Sequence, residues 1–354
     1  MKKVCVAMSG GVDSSVAATL LKEQGYDVMG AFMKNWSLEQ AGVSYKPWED
    51  EAKDAEAVCR HLGIPFEVFD FEQDYQKRVV DAFVGEYEQG RTPNPDVLCN
   101  REIKFDLFLR RAQELGAEMI ATGHYAQIEH TKDGFQLCAG ADPEKDQSYF
   151  LYTLTQKELP FILFPIGHLH KHEVRNLARK YGLPNADKKD SQGVCFIGPV
   201  SMRQFLQHYL KPKPGDVVTS DGRVIGQHDG VIFYTEGQRH GFDTGGSHSP
   251  LYVAEKRLAT NELVVVPEHH SLLQASRFAV DDVTWTIRPL ILPRTVQVRV
   301  RYRQALAKAT LQDDGSQLVI RLETPIRAVS SGQSAVFYDG GTVLGGGVIT
   351  QRLN

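Results

Sequence analysis

The apolar and polar positions of the N-terminal half of the chain alternate between strand-like and helix-like segments. Four short apolar runs are typical of buried strands: Val4–Met8, Asp27–Met33, Phe66–Phe71 and Glu118–His124. Between them, apolar residues recur at helical spacing, first within Val16–Leu21 and then at Ala52, Ala55, Val58, Cys59 and Leu62. Strands that alternate with helices predict an α/β fold built on a doubly wound parallel sheet. Ligands of such sheets bind beyond the carboxyl ends of the strands, so Ser9, Met33 and Gly123 are expected to line one ligand pocket.

The pattern changes near Lys211–Gly215, where prolines and a glycine interrupt it. Beyond this point, short apolar runs separated by turn residues predict a small β-rich central module. From about Arg277 the alternation acquires a strict period of two, which predicts a C-terminal β-barrel. We therefore expect three domains, with boundaries at 1–205, 206–274 and 275–354.

One predicted barrel strand separates apolar from basic side chains. Its apolar face carries Val296, Val298, Val300 and Tyr302, and its other face carries Arg299, Arg301 and Arg303. The arginine row fits either a solvated strand face or a stripe that contacts phosphates, with Tyr302 available for base stacking. From Arg277 onward, ten Lys and Arg stand against six Asp and Glu, although the whole chain carries a net charge of −4. This segregation favours a polyanionic partner for the C-terminal part.

Composition narrows the class of protein further. No segment approaches the ~20 apolar residues that cross a bilayer, and the first residues lead directly into a strand. We expect a cytoplasmic protein with no membrane partner. The chain has five cysteines and no Cys-x-x-Cys pair, so neither a disulfide framework nor a protein-held metal site is expected.

The most informative motif is Ser9-Gly10-Gly11-Val12-Asp13-Ser14, between a strand and a helix. Paired glycines let backbone N–H groups approach an anion, and the helix N-terminus adds its dipole. The motif ends in Asp-Ser rather than the Lys-Ser/Thr of a Walker loop. It is similar to the PP-loop of ATP pyrophosphatases, which implies cleavage of ATP to AMP and pyrophosphate.

Two cysteines stand in segments that suggest reactivity. Cys99 follows the loop Thr92–Leu98, and we expect it at a helix N-terminus, where the dipole lowers a thiol pKa. Asp96 is placed to act as an acid or base, although its charge opposes a thiolate. Cys195 lies between Gly193 and Gly198, in a setting that fits either a carrier of labile sulfur or a partner for Cys99. Cys5, Cys59 and Cys138 are expected to be inert packing residues.

These motifs together resemble the bacterial tRNA 2-thiouridylases, a family within the PP-loop ATP pyrophosphatases, over nearly the whole chain. Besides the PP-loop, the resemblance rests on Phe32–Trp36, Asn94–Asn100, Ala121–Tyr125, Lys145–Phe150, the Cys195 segment and Gly332–Tyr338. It implies an enzyme that adenylates O2 of the tRNA wobble uridine with ATP and Mg²⁺, and then inserts sulfur.

The resemblance also implies roles for individual residues. Cys195 would carry a persulfide, Cys99 would be the nucleophile that forms a disulfide with it, and Asp96 would be the acid or base. The implied ATP site consists of Ala7, Met8, Ser9, Gly10, Gly11, Val12, Asp13, Ser14, Met33 and Gly123. The implied tRNA contacts are Asn94, Pro95, Asp96, His124, Lys145, Asp146, Gln147, Arg301, Tyr302 and Gln333. The implied sulfur donor is either a cysteine desulfurase or a sulfur-relay protein.

Two other functions are compatible with parts of the pattern. An amide-forming synthetase with a PP-loop would not need Cys99 or Cys195. A non-catalytic RNA-binding protein would keep tRNA binding without ATP cleavage.

Overall fold

The computed structural model describes residues 1–36, 47–189, 201–244 and 249–353. Its N-terminal part contains seven strands among these residues: β1 (Lys3–Met8), β2 (Asp27–Lys34), β3 (Phe66–Asp70), β4 (Met119–Ala121), β5 (Ala126–Thr131), β6 (Gly134–Ala139) and β7 (Ile162–Leu163). Five of them form a fully parallel sheet in the order β3-β2-β1-β4-β7. The parallel α/β architecture expected from the alternating pattern is confirmed.

Helices cover both faces of this sheet. They are α1 (Val12–Glu23), α2 (Pro47–Leu62), α3 (Glu72–Tyr75), α4 (Asp81–Glu88), α5 (Pro95–Cys99), α6 (Phe108–Glu114), α7 (Lys171–Lys180) and α8 (Met202–Tyr209). π-Helical segments at Gln76–Val80 and Asn100–Leu107 join α3 to α4 and α5 to α6. Alternate residues of β1 enter different cores, because Val4 and Val6 pack with α1 and α2, whereas Cys5 packs with the α3–α6 side. Within the described residues, no helix is long and apolar enough to cross a membrane.

The central module is a small four-stranded sheet. Its strands are β8 (Gly215–Val218), β9 (Val224–His228), β10 (Leu251–Arg257) and β11 (Glu262–Pro267), in the order β10-β11-β8-β9. Val217, Val253 and Leu263 are fully buried in its core. The β-rich module expected from the turn pattern is therefore present.

Six C-terminal strands close into a barrel, as expected. They are β12 (Gln274–Trp285), β13 (Arg294–Arg299), β14 (Ala307–Asp313), β15 (Leu318–Arg327), β16 (Ser334–Asp339) and β17 (Thr342–Arg352). Pairing of β12 with both β15 and β17 completes the closure. The β5–β6 hairpin joins the same sheet through β6 and β17, where Cys138 pairs with Thr342. This hairpin lies within the segment 1–205, so the N-terminal segment contributes two strands to the sheet of the barrel.

Arg299 and Arg301 of the arginine row have partners inside the protein, whereas Arg303 is exposed. Strand β13 ends at Arg299, although Val296, Val298 and Val300 do point into the barrel core. The Arg299 side chain is only 15% exposed and pairs with Asp146 at 3.0 Å. Arg301 donates to the Ser330 hydroxyl at 3.0 Å and also to the Glu236 carbonyl oxygen. Both guanidinium groups therefore connect domains, because Arg299 bonds to the N-terminal segment and Arg301 bonds to the central module.

Three domains meet at Thr92, just before α5. Its backbone N–H donates to the Ser331 carbonyl at 2.9 Å, and its own carbonyl accepts from Gln333 Nε2 at 2.8 Å. The Thr92 hydroxyl lies 3.3 Å from the hydroxyl of Thr235 and accepts from Lys256 Nζ at 3.4 Å. Barrel residues thus fix the backbone of Thr92, and central-module residues fix its side chain.

Gly332 tests how closely the barrel approaches Thr92. Its φ is +89°, and an added Cβ would lie 2.7 Å from the Thr92 nitrogen. We predict that Gly332→Ala destabilises the protein by at least ~1 kcal/mol, because it combines left-handed backbone strain with a backbone clash. Gly341→Ala is the matched control, since its Cβ would meet nothing within 4 Å. Urea unfolding midpoints measure both variants, and equal midpoints would contradict the close packing at Thr92.

Candidate active site

The PP-loop motif forms a tight turn between β1 and α1. Gly10 has a φ of +71°, and α1 begins at Val12 with no side-chain cap at Gly11. The Ser14 hydroxyl donates to the Gly11 carbonyl at 3.1 Å and accepts from the Ser9 N–H at 3.2 Å. The loop is therefore shaped by its own serines, and the N-terminus of α1 offers the dipole and backbone donors that bind anions.

The loop lies at the carboxyl edge of the parallel sheet, together with the ends of two neighbouring strands. Met33 lies near the end of β2, and Gly123 follows β4. A Cβ at Gly123 would lie 2.7 Å from the Ser14 nitrogen, so only glycine permits this approach to α1. The structure thus places the three residues at one edge. That Ala7–Ser14, Met33 and Gly123 bind ATP stays a prediction.

Four further residues hold the PP-loop, and local sequence patterns did not identify them as site residues. Asp13 accepts hydrogen bonds from Lys171 Nζ, 2.8 Å from each carboxylate oxygen, and from the Tyr125 hydroxyl at 2.8 Å. The Gly10 carbonyl accepts from Asn185 Nδ2 at 3.0 Å and from Lys188 Nζ at 3.2 Å. Tyr125 ends the Ala121–Tyr125 string and Lys188 opens the segment that contains Cys195, but neither residue was assigned a role, and Lys171 and Asn185 lie in no recognised motif.

The Cys99 segment is helical, as expected, but its cysteine does not occupy the helix N-terminus. The Asn94 side chain caps α5 by accepting from the N–H of Asp96 at 3.1 Å and of Val97 at 3.4 Å, and Pro95 occupies the first turn. Cys99 is the last residue of α5, and the helical path continues through Asn100–Leu107. Asp96, rather than Cys99, stands where the dipole acts most strongly. The two side chains are three residues apart and share one face of the helix.

The predicted low pKa of Cys99 is wrong. Its side chain is 1% exposed, and burial raises the pKa of the thiol. The negative charge of Asp96 also raises this pKa, whereas the positive charge of Lys104 and the Tyr75 hydroxyl lower it. Sequence spacing placed a helix near Cys99 but did not reveal the desolvation that dominates its titration.

Cys195, the predicted persulfide carrier, lies outside the described residues. Its role and its pairing with Cys99 stay predictions. Cys5 and Cys59 are fully buried and Cys138 is 8% exposed, which agrees with the packing role expected of them.

Several predicted tRNA contacts already have partners inside the protein. Asp146 is 5% exposed, pairs with Arg299, and accepts from the N–H groups of Gly140 and Ser148. Gln147 Oε1 accepts from the Tyr125 N–H at 3.0 Å. Buried His124 lies 2.6 Å from the Thr122 hydroxyl through Nδ1, and burial lowers its pKa well below the usual value.

The remaining predicted contacts lie at the domain junction or near it. Gln333 bonds to Thr92, and Tyr302 packs against Phe150 with ring centroids 4.6 Å apart. Asn94, Pro95, Asp96 and Lys145 are partly exposed. Contact of any of these residues with tRNA stays a prediction.

Three family profiles match consecutive segments of the chain. Residues 2–199 match "tRNA methyl transferase HUP domain", residues 203–267 match "tRNA methyl transferase PRC-barrel domain", and residues 275–349 match "Aminomethyltransferase beta-barrel domain". Among solved structures, a 4-thiouridine synthetase–RNA complex with bound ATP aligns with 55% of this chain and 44% of its own at a TM-score of 0.34 and 17% identity. That similarity is too low to carry a functional argument.

The three profiles have different names, and relatives that match the whole chain indicate to which family it belongs. The tRNA-specific 2-thiouridylase MnmA of Listeria monocytogenes is 47% identical over 98% of this chain and 94% of its own. MnmA 2 of Geobacillus kaustophilus is 48% identical over 99% of this chain and 95% of its own. MnmA of Nitrosomonas eutropha is 48% identical over 99% of both chains. Because these matches span all three domains at nearly half identity, the chain belongs to the tRNA-specific 2-thiouridylase family.

Proposed function

We propose that this protein catalyses ATP-dependent 2-thiolation of the wobble uridine in tRNA anticodons, releasing AMP and pyrophosphate. The observation that carries the proposal is the presence in one domain of an anion-binding PP-loop and of a buried cysteine one helical turn from a carboxylate, in a chain similar throughout to 2-thiouridylases. Membership in this family favours thiolation over the two alternatives, which are an amide-forming synthetase and a non-catalytic RNA-binding protein.

Reaction with ATP converts the C2 oxygen of uracil into part of a good leaving group. The C2 oxygen of uracil does not depart as oxide, so it first attacks the α-phosphorus of ATP, and the bond to pyrophosphate breaks. The backbone donors at the start of α1 stabilise the negative charge that develops on the phosphates. The C2 oxygen then leaves as part of AMP.

We expect Mg²⁺ to bind at this loop together with the phosphates of the nucleotide. Within the described ranges, no cluster of three His, Cys, Asp or Glu side chains would hold a metal ion. Asp13 is the one carboxylate of the PP-loop motif, and Mg²⁺ is commonly bound by one or two carboxylates together with substrate phosphates. When bound, the ion would neutralise phosphate charge.

Sulfur transfer uses the two predicted cysteines. The terminal sulfur of a Cys195 persulfide forms the new bond to C2, and the bond from C2 to the AMP oxygen breaks. The Cys99 thiolate attacks the inner sulfur of Cys195, so that the persulfide bond breaks and a Cys99–Cys195 disulfide forms. A dithiol reductant then restores both thiols. Release of the sulfur as free sulfide before it reaches C2 gives the same disulfide.

The start of α5 is suited to hold the target base. Asn94, Pro95 and Asp96 are partly exposed there, one turn before Cys99. Asp96 is therefore placed to transfer a proton beside a base held at this helix end. A wobble base lies in a single-stranded loop, from which it is unstacked at low cost. The partners of the enzyme are then tRNA and a sulfur donor, either a cysteine desulfurase or a relay protein, in the cytoplasm.

Replacement of the two cysteines tests the reaction. We expect Cys99→Ser and Cys195→Ser each to lower formation of 2-thiouridine by at least ~10³-fold, as loss of a nucleophile does elsewhere. Unmodified tRNA is incubated with enzyme, Mg-ATP and a persulfide donor, and nucleosides are measured by mass spectrometry. AMP is measured in parallel.

Cys138→Ser is the matched control. Cys138 lies in β6 beside the Thr342 hydroxyl, and we expect this variant to keep full activity. AMP formation without thiolated tRNA in the wild type would favour the synthetase, and tRNA binding without AMP formation would favour the non-catalytic protein.

The positive charge of Lys104 gives a second test. It lowers the pKa of the Cys99 thiol, so we expect Lys104→Met to move the titration of Cys99 to higher pH. At neutral pH this leaves less thiolate and slows thiolation, and raising the pH restores the rate. The thiolate is followed by its ultraviolet absorbance as the difference between each protein and its Cys99→Ser form.

Lys53→Met serves as the control, because Lys53 pairs with Asp50 at the surface. An unchanged titration in Lys104→Met would show that Lys104 does not stabilise the thiolate.

A further inference from the structure

Asp13 presents an electrostatic problem for a loop that binds phosphates. It lies in the first turn of α1, within the PP-loop motif, and its side chain is 32% exposed. An uncompensated carboxylate at this point repels an approaching polyphosphate. Some positive group must therefore balance it before a nucleotide binds.

Lys171 supplies that positive group. Its Nζ lies 2.8 Å from both Asp13 oxygens, and its side chain is only 13% exposed. The ammonium also lies 5.8 Å from the centroid of the Tyr125 ring, and the Tyr125 hydroxyl bonds to the same carboxylate. The charge is thus held at the loop rather than in bulk solvent.

The backbone of Lys171 is fixed as well. It is the first residue of α7, and its N–H donates to Asp142 Oδ2 at 2.9 Å. The lysine stem therefore starts from an anchored point, and the ammonium can exchange acceptors without movement of the helix. A compact ammonium on a flexible stem is suited to such an exchange.

The second lysine near the loop has a different position. Lys188 pairs with Asp54 of α2 at 2.6 Å and donates to the Gly10 carbonyl. Carbonyl groups turn away from a bound anion when the N–H groups face it, so Lys188 supports the opposite side of the loop. Of these two lysines, Lys171 is the one whose ammonium bonds to the first turn of α1.

We propose that Lys171 is a nucleotide-binding residue whose ammonium passes from Asp13 to the phosphate chain when ATP enters the PP-loop. This rests on the proposed use of ATP and deepens it. The Asp13–Lys171 pair keeps the empty loop close to neutral. In the complex, the lysine balances part of the added negative charge, and it stays beside the pyrophosphate as that group leaves.

Nucleotide binding to the full-length protein tests the proposal. Kd values for α,β-methylene-ATP and for AMP, both with Mg²⁺, are measured by calorimetry for wild type, Lys171→Met and Lys171→Arg. We expect Lys171→Met to weaken binding of the triphosphate about 10- to 100-fold, which corresponds to the loss of a hydrogen bond to a charged group. The Kd for AMP should rise less than threefold in Lys171→Met, because AMP lacks the β and γ phosphates. Lys171→Arg should retain most of the affinity for the triphosphate. Where AMP binds weakly, its Kd is measured by displacement of the bound triphosphate analogue.

Lys180→Met is the matched control on the same helix, where Lys180 is exposed and lies over the Tyr181 ring. Its affinities should equal those of wild type. Thermal unfolding and tRNA affinity of Lys171→Met, both expected to stay unchanged, separate a role in binding from a role in folding.

The outcomes are distinguishable. Unchanged triphosphate affinity in Lys171→Met, or an equal loss for the triphosphate and its shorter analogue, overturns the assignment of Lys171 while the proposed function stands. Failure of the wild type to bind the triphosphate overturns the proposed function and the assignment together.

Discussion

The position of α5 depends on a junction that three domains share. Thr92 lies three residues before the first residue of α5, and its backbone and side chain bond to the barrel and to the central module, respectively. The position of Asp96 and Cys99 is therefore set by packing between domains as well as within the N-terminal one. Gly332 permits this arrangement because no side chain fits beside the Thr92 backbone. A site assembled in this way has the orientation of its helix fixed before substrate arrives, which lowers the cost of binding.

Buried ion pairs fix the same domain arrangement. Asp146–Arg299 joins the N-terminal segment to β13, and Glu236–Arg352 joins the central module to β17. Isolated buried pairs add little net stability, but removal of one partner leaves an unpaired charge, so such pairs select one orientation strongly. In these two pairs, the positive charges of Arg299 and Arg352 are balanced by carboxylates inside the protein. The positive excess of that segment overstates the charge that it offers to a polyanion.

Local motifs predicted the fold class and the loop, because both depend on residues adjacent in sequence. The apolar runs identified the parallel strands, and Ser9–Ser14 identified the turn before α1. The chemistry of Cys99 could not be predicted in this way. Its burial comes from packing against distant segments, and Tyr75 and Lys104 act on it only in three dimensions. Lys171 was missed for the same reason, since 158 residues separate it from Asp13. The internal partners of Arg299 and Arg301 could not be predicted either, because strand periodicity does not show which face another domain covers.

The β5–β6 hairpin has a consequence for biosynthesis. It leaves the ribosome about 200 residues before its partner, because Cys138 pairs with Thr342. During that interval the outer edge of β6 presents unpaired backbone groups, which are a template for association with other chains. The contact also closes a very long loop, and contacts of this kind form late in folding. Completion of the last strand therefore covers an edge exposed early in synthesis, and it links the N-terminal segment to the finished barrel.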